Sequence, residues 1–284
     1  MSKIRFTVLC ENSVAGTTGL IGEHGWAVLI EKDDLKILFD TGQGLGIINN
    51  ALALKKDLSN LDAIVLSHGH YDHTSGLPDV LRLHKKGSLV SVYAHPDIFL
   101  DRYWMREGEN SREIGIRFKR AYLESLGAQF KFVKQFKEIF PNIYVTGEVP
   151  RVTSFEPPDP NMKILDENGT PVQDNLLDDL SLVVKTKNGL VVVLGCAHAG
   201  MINILTHIRN NLPDLPLDTV FGGTHLGFAG MEQLDKTIQA LEDFDVKHLG
   251  AAHCTGIVGA AKIKAILKER AFFAPVGTVI ELDA

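Results

Sequence analysis

The sequence predicts an α/β sandwich with two sheets inside and helices outside. Three observations predict it. Strand-like runs open the chain and helical periods follow them. A second β-then-α succession fills the C-terminal half. Between its first two apolar runs lies Asn188-Gly189, a strong hairpin signal, because both residues accept the positive φ that a tight turn requires. With 284 residues, 45% of them hydrophobic, the chain can bury one large core. A single domain over residues 1–284 is expected.

The elements follow in order. Residues 4–10, 26–31 and 35–39 are apolar and β-branched, and read as strands. Residues 11–25, rich in Gly, Thr and Ser, read as a long functional loop. A helix is expected over 45–56 and a buried strand over 61–66. Residues 77–86 have helical spacing, with Pro78 early and Gly87 as the stop. A strand over 89–94 follows. Residues 97–136 are less regular. They read as an insertion that shapes or lids a pocket, or as a helical layer over the sheet, with 117–126 helical. Residues 139–146 read as one strand. Pro157-Pro158-Asp159-Pro160 and the acidic run through Asp174, Asp178 and Asp179 read as a long loop. After the 182–194 hairpin, helices over 201–210, 231–244 and 260–270 alternate with strands over 218–221, 246–251 and 278–282. No internal repeat or low-complexity tract is visible.

Ser67-His68-Gly69-His70-Tyr71-Asp72-His73-Thr74 carries the chemistry. The chain has 11 His in 284 residues, so three within six positions is not the pattern of a chance polar loop. Imidazoles with one carboxylate suit zinc and its first-row neighbours. His68 and His70, two apart, point the same way in extended chain and can share one ion. Asp72 and His73 lie past Gly69, where the chain can turn, and can address a second.

His68-Gly69-His70-Tyr71-Asp72-His73 resembles the HxHxDH motif of the metallo-β-lactamase superfamily. The strand ending in Asp40-Thr41-Gly42 is similar to that fold's Asp-Thr/Ser-Gly turn. Gly195-Cys196-Ala197-His198-Ala199-Gly200, Gly222-Gly223-Thr224-His225 and Ala252-His253-Cys254-Thr255-Gly256 resemble one branch. That branch is related to a dihydropterin ribofuranosyl-aminobenzene phosphate synthase and is often described only as metal-dependent hydrolases. The resemblance implies a four-layer αβ/βα metallo-β-lactamase sandwich with two divalent metal ions, zinc first, manganese or iron otherwise.

It also implies ligands. His68, His70, Asp72 and His73 come from the first motif. His253 ends an apolar strand where the superfamily places its last ligand, and His198 lies in a Gly-rich turn past another strand. In the wider superfamily a bridging Asp follows Gly at that strand end, whereas here Cys196 follows Gly195. The bridge is therefore open between Cys196, Glu148 and water alone. Glu148 ends a strand in a stretch, between His95 and His198, that holds no histidine. Asp40 is expected to orient a ligand. Thr224, His225 and His24 are pocket candidates, with His225 placed for proton transfer or substrate and Asp72 for orienting the nucleophile. Gly42-Gln43-Gly44-Leu45-Gly46 could hold an anion at a helix start, or simply lead into the helix. Arg106, Lys119 and Arg151 are phosphate candidates or ordinary surface charges.

The activity expected is hydrolysis of a phosphate ester or related ester through a metal-bound hydroxide. The alternative is a transferase in which metal activates a diphosphate leaving group. A di-iron redox protein would need a flavin domain, for which the chain has no room, and structural zinc is normally closed by four ligands, often Cys. The partner is a small, phosphorylated molecule. A net charge of -6 argues against a large nucleic-acid surface. No apolar run is long enough for a membrane span. Three cysteines make no disulfide framework, and no signal-peptide pattern opens the chain, so the cytoplasm is expected.

Overall fold

The computed structural model describes residues 3–16 and 19–284; the expectations for residues 1–2 and 17–18 lie outside them. Strands β1 (Lys3–Cys10), β2 (Ala27–Lys32) and β3 (Leu35–Phe39) open the chain as an antiparallel meander. Helix α1 (Ile47–Ala53) follows, then β4 (Ala63–Val65), the one-turn helix α2 (Tyr71–Thr74), α3 (Leu77–Leu83) and β5 (Val90–Ala94). The less regular stretch supplies β6 (Arg102–Trp104), β7 (Arg112–Glu113), α4 (Arg120–Ser125) and β8 (Ala128–Phe132). Next come β9 (Lys137–Phe140), β10 (Ile143–Val145), β11 (Met162–Leu165), β12 (Pro171–Gln173), β13 (Leu182–Lys185) and β14 (Leu190–Leu194). The C-terminal part runs α5 (Met201–Asn211), β15 (Leu217–Gly223), α6 (Met231–Asp243), β16 (His248–Ala252), α7 (Gly256–Leu267), β17 (Ala271–Phe273) and β18 (Val279–Asp283).

Two seven-stranded sheets form, in the orders β18-β1-β2-β3-β4-β5-β8 and β17-β16-β15-β14-β13-β10-β9. Period-two alternation decides which layer each side chain joins. On β2, Val28 and Ile30 face the space between the sheets, while Ala27 and Leu29 face the helices α1, α3 and α4. On β14, Val191 and Val193 meet Val28 and Phe39 in that inner core, while Leu190, Val192 and Leu194 pack under α5, α6 and α7. The result is the expected helix–sheet–sheet–helix sandwich, with strands apolar on both faces because both faces are covered.

Several boundaries differ from expectation. The 139–146 strand is two strands, β9 and β10, turned at Asn142 with φ 67°. Helix α7 starts four residues before the expected 260 and stops at Lys268, whose φ is 50°. The stretch 97–136 divides: α4 and β8 extend the first sheet and its helical layer, whereas β6 and β7 join β11 and β12 in a third, four-stranded sheet. The acidic "loop" therefore contains two strands, β12 paired with β11 and β11 paired in turn with β6, some sixty residues earlier. Strand β18 returns to pair with β1, so the chain's last strand closes the first sheet and not the second. No helix of the described residues is long and apolar enough to cross a membrane.

Candidate metal centre

Parallel strands β3 and β4 in one sheet, and β14, β15 and β16 in the other, all end on the same edge. Asp40, His68, Cys196, Thr224 and His253 each follow one of those ends. This is where open α/β sheets collect ligands, because the loops there converge without blocking the core.

The first motif is held from below. His68 Nε2 lies 2.9 Å from His70 Nδ1, and both rings are buried. Gly69 is required for space, not for a special turn: a side chain there would strike the Arg102 guanidinium and the Ile98 carbonyl. Its N–H donates to Asp178 Oδ2 at 2.8 Å. Helix α2 then lifts Asp72 and His73 toward the second sheet, with His73 N and Thr74 Oγ1 both donating to the His70 carbonyl.

Asp40 sits in the left-handed region at φ 58°. Its carboxylate accepts from Ser67 N, Ser67 Oγ and His73 Nδ1, each at 2.7 Å. That leaves His73 Nε2 aimed at Cys196 Sγ and His253 Nε2, both 3.2 Å away. His253, also strained at φ 51°, is anchored through its N–H to Glu11 and through Nδ1 to Asn12 Oδ1. Its Nε2 lies 3.2 Å from Asp72 Oδ2, and His24 Nε2 lies 3.2 Å from the same oxygen. His24 is half exposed, at the mouth. Ala197 and His225 are two more non-glycine residues at positive φ, at 53° and 55°. Such strain gathers where the surrounding structure over-determines a functional geometry.

Two donor sets result. One is His68, His70 and His198; the other is His24, Asp72 and His253; and His73 with Cys196 stands between them. Donors about 2.0–2.1 Å from a tetrahedral zinc would stand about 3.3 Å apart, close to the separations here. His198 Nε2 is buried and has no protein partner, an orphan that a cation would satisfy. Burial holds His68 and His198 well below the usual imidazole pKa and lowers His70 to about 3, so these rings keep free lone pairs at neutral pH. Burial also works against a charge on His73, but the Asp40 and Asp72 carboxylates overcome it and push its pKa up to about 9. A positive charge is wanted at that point, and a metal ion supplies one. The residues fit a divalent centre.

Several expectations are corrected. Glu148 joins neither donor set: Gly147 turns the chain at φ 67°, and the carboxylate is bound by His95 at 2.9 Å and Lys134 at 3.0 Å. The anion at Gly42–Gly46 is the protein's own Glu23, which accepts from the amides of Gln43, Gly44, Leu45 and Gly46. Arg151 turns Nη2 to the His198 carbonyl at 2.7 Å and the Asn175 carbonyl at 3.3 Å, so it holds the turn that carries His198. Thr224, by contrast, lines the cleft as expected, and its hydrogen bond to Thr255 at 2.9 Å ties two strand ends together there.

Other residues were missed. Asp178 and Asp179, read only as part of an acidic run, hold the Gly69 and Ala199 amides beneath the two histidine turns. Burial raises both carboxyls to about 6. Arg102, wholly buried, pairs with Asp174 and Asp178. Two acids in tandem before a strand were the available signal.

The centre opens into a cleft of about 810 Å³. Its floor includes His70, Asp72, His198 and His253, and its walls include Trp104, Arg106 and Arg112 from the third sheet and its turn. His225 hangs over His198 with ring centroids 4.6 Å apart, and burial lowers its pKa to about 4.

Comparison with known proteins agrees. A family model described as the metallo-beta-lactamase superfamily matches residues 20–173. The chain is 29% identical over 269 residues to a 7,8-dihydropterin-6-methyl-4-(beta-D-ribofuranosyl)-aminobenzene-5'-phosphate synthase of Methanocaldococcus jannaschii, covering 90% of this chain and 89% of that one. It is 31% identical over 245 residues to the protein MJ0448 of the same organism, covering 85% and 87%. Among solved structures it resembles Tm1679, a metal-dependent hydrolase of the beta-lactamase superfamily, with TM-score 0.82, 28% identity and coverage of 99% and 100%. Sandwich, donor set and family match agree, and the chain belongs to the metallo-β-lactamase superfamily.

Proposed function

We propose that the protein is a metal-dependent hydrolase acting on a phosphate ester or related ester, with two divalent ions, zinc first, at the strand edge. One observation carries this reading: two adjacent donor sets, buried except for His24 at the mouth, open side by side onto a cleft walled by Arg106 and Arg112. Ions bound there supply Lewis acidity, acidifying a water and offsetting charge on the reacting group. His68, His70 and His198 hold one ion; Asp72, His73 and His253 hold the other, and Asp72 orients the attacking water. His225, neutral at pH 7 because it is buried, offers a ring N–H to the departing oxygen. Arg106 and Arg112 receive an anionic substrate at the mouth. Three free cysteines fit a reducing cytoplasm.

A second reading is supported by the near full-length similarity to the synthase. Here the same residues hold a diphosphate leaving group while a pterin fragment joins a ribosyl-aminobenzene phosphate. One experiment separates them: metal-loaded protein is offered phosphomonoesters, phosphodiesters and lactones in one series and the pterin pair in another. Ester cleavage lost in His68→Ala, without condensation, supports hydrolysis. Condensation without cleavage replaces it with transfer. Neither, from a protein holding two ions, ends both.

A further inference from the structure

We infer that the Cys196 thiolate is the protein ligand shared between the two donor sets, so that the centre is held partly by sulfur. This rests on the dinuclear reading above and concerns which side chain joins its halves. Cys196 Sγ is grouped within 4.8 Å with donors of His68 and His73 on one side and with donors of His253 and Cys254 on the other. It touches His73 Nε2 at 3.2 Å.

Asp40 is bound by Ser67 and His73 Nδ1, Asp178 by Gly69 and Arg102, and Asp72 faces His24 and His253. Asp179 accepts from Ala199 N through Oδ2, while its buried Oδ1 has no partner among the described residues and no place in a donor group. The position is also built. A side chain at Gly195 would strike Ser67, so the strand end lies flush against the first motif. Ala197, at φ 53°, then turns the chain so that His198 joins the other donors. Cys254 belongs to only one of these groups, and both of its hydrogen bonds are to backbone: its thiol donates to the Cys196 carbonyl at 3.5 Å and its sulfur accepts from His225 N at 3.2 Å.

On ligation the Cys196 S–H bond breaks, its proton passes to solvent, and sulfur binds with the electron pair left behind; no oxidant is involved. A thiolate here favours zinc or cobalt over manganese or magnesium, which prefer oxygen.

The test is cobalt(II) substitution of the full chain, anaerobically and with reductant, read by absorption and by metal count. The expected result is two ions per chain and a thiolate-to-cobalt charge-transfer band in the near ultraviolet. That band disappears in Cys196→Ser and persists in Cys254→Ser. Cys196→Asp should bind two ions without the band. X-ray absorption of the zinc-loaded parent reads the same point without a variant, expecting a sulfur shell at about 2.3 Å. Two ions with neither band nor sulfur shell overturn this inference alone, as does a band that follows Cys254. A chain that takes up no ions overturns the dinuclear reading with it.

Discussion

Asp40 never faces the cleft, yet it decides which nitrogen of His73 can bind metal. One carboxylate oxygen accepts Ser67 N; the other accepts both Ser67 Oγ and His73 Nδ1. With a cation in place of the second ring proton, the remaining proton is therefore held on Nδ1 and the lone pair falls on Nε2. In Asp40→Asn the amide has two placements. If its nitrogen faces His73, two donors oppose each other unless the ring moves its proton to Nε2, where it blocks the metal. If its nitrogen faces Ser67 N, a buried N–H loses its acceptor, at about 1–3 kcal/mol. Loss of such an orienting partner typically weakens metal binding 10–100-fold, about 1.4–2.8 kcal/mol. Competition of zinc against a chromophoric chelator should show that loss for one ion, with the second little changed. Nitrogen NMR of the ring should show the proton moved to Nε2, or denaturation a loss of about 1–3 kcal/mol in stability. Asp40→Asn with parental affinity for both ions and parental stability would refute the reasoning.

Other outcomes follow from the same geometry. Glu148→Ala should leave two ions bound, because that carboxylate serves only His95 and Lys134; a lost equivalent by metal analysis would contradict its placement. Gly69→Ala should destabilise by about 1–3 kcal/mol in urea, since the added carbon meets Arg102 and the Ile98 carbonyl and overpacks the turn. Glu23→Gln should lose about 1–3 kcal/mol, its amide nitrogen facing buried N–H groups in place of an acceptor; an unchanged midpoint would mean the Gly42–Gly46 turn does not depend on that carboxylate. Chelation should abolish activity and lower the melting temperature, and both should return with metal.

Much of this protein could be read before any coordinates. Hydrophobic periodicity placed most strands of both sheets, because a strand covered on both faces is apolar throughout and cannot be mistaken for solvated loop. The weak points were local. Strands β11 and β12 are only four and three residues long, and they are placed by β6 pairing with β11, so a pattern this short does not announce them. Glu148 looked like a ligand because it follows a strand, but a single turn at Gly147 sends it toward His95.

The amino-acid order alone determined the layered architecture and singled out the candidate metal-ligating histidines, since short-range spacing fixes which neighbours can face the same way. It also marked Cys196 as a departure from carboxylate. Three-dimensional packing decided the rest: that His73, His198 and His253 converge, that Cys196 lies between the donor groups, and that Asp178, Asp179, Glu11 and Glu23 serve buried amides. The reason is that a buried polar group must find its partner wherever the chain happens to pass, and that distance along the sequence carries no record of it.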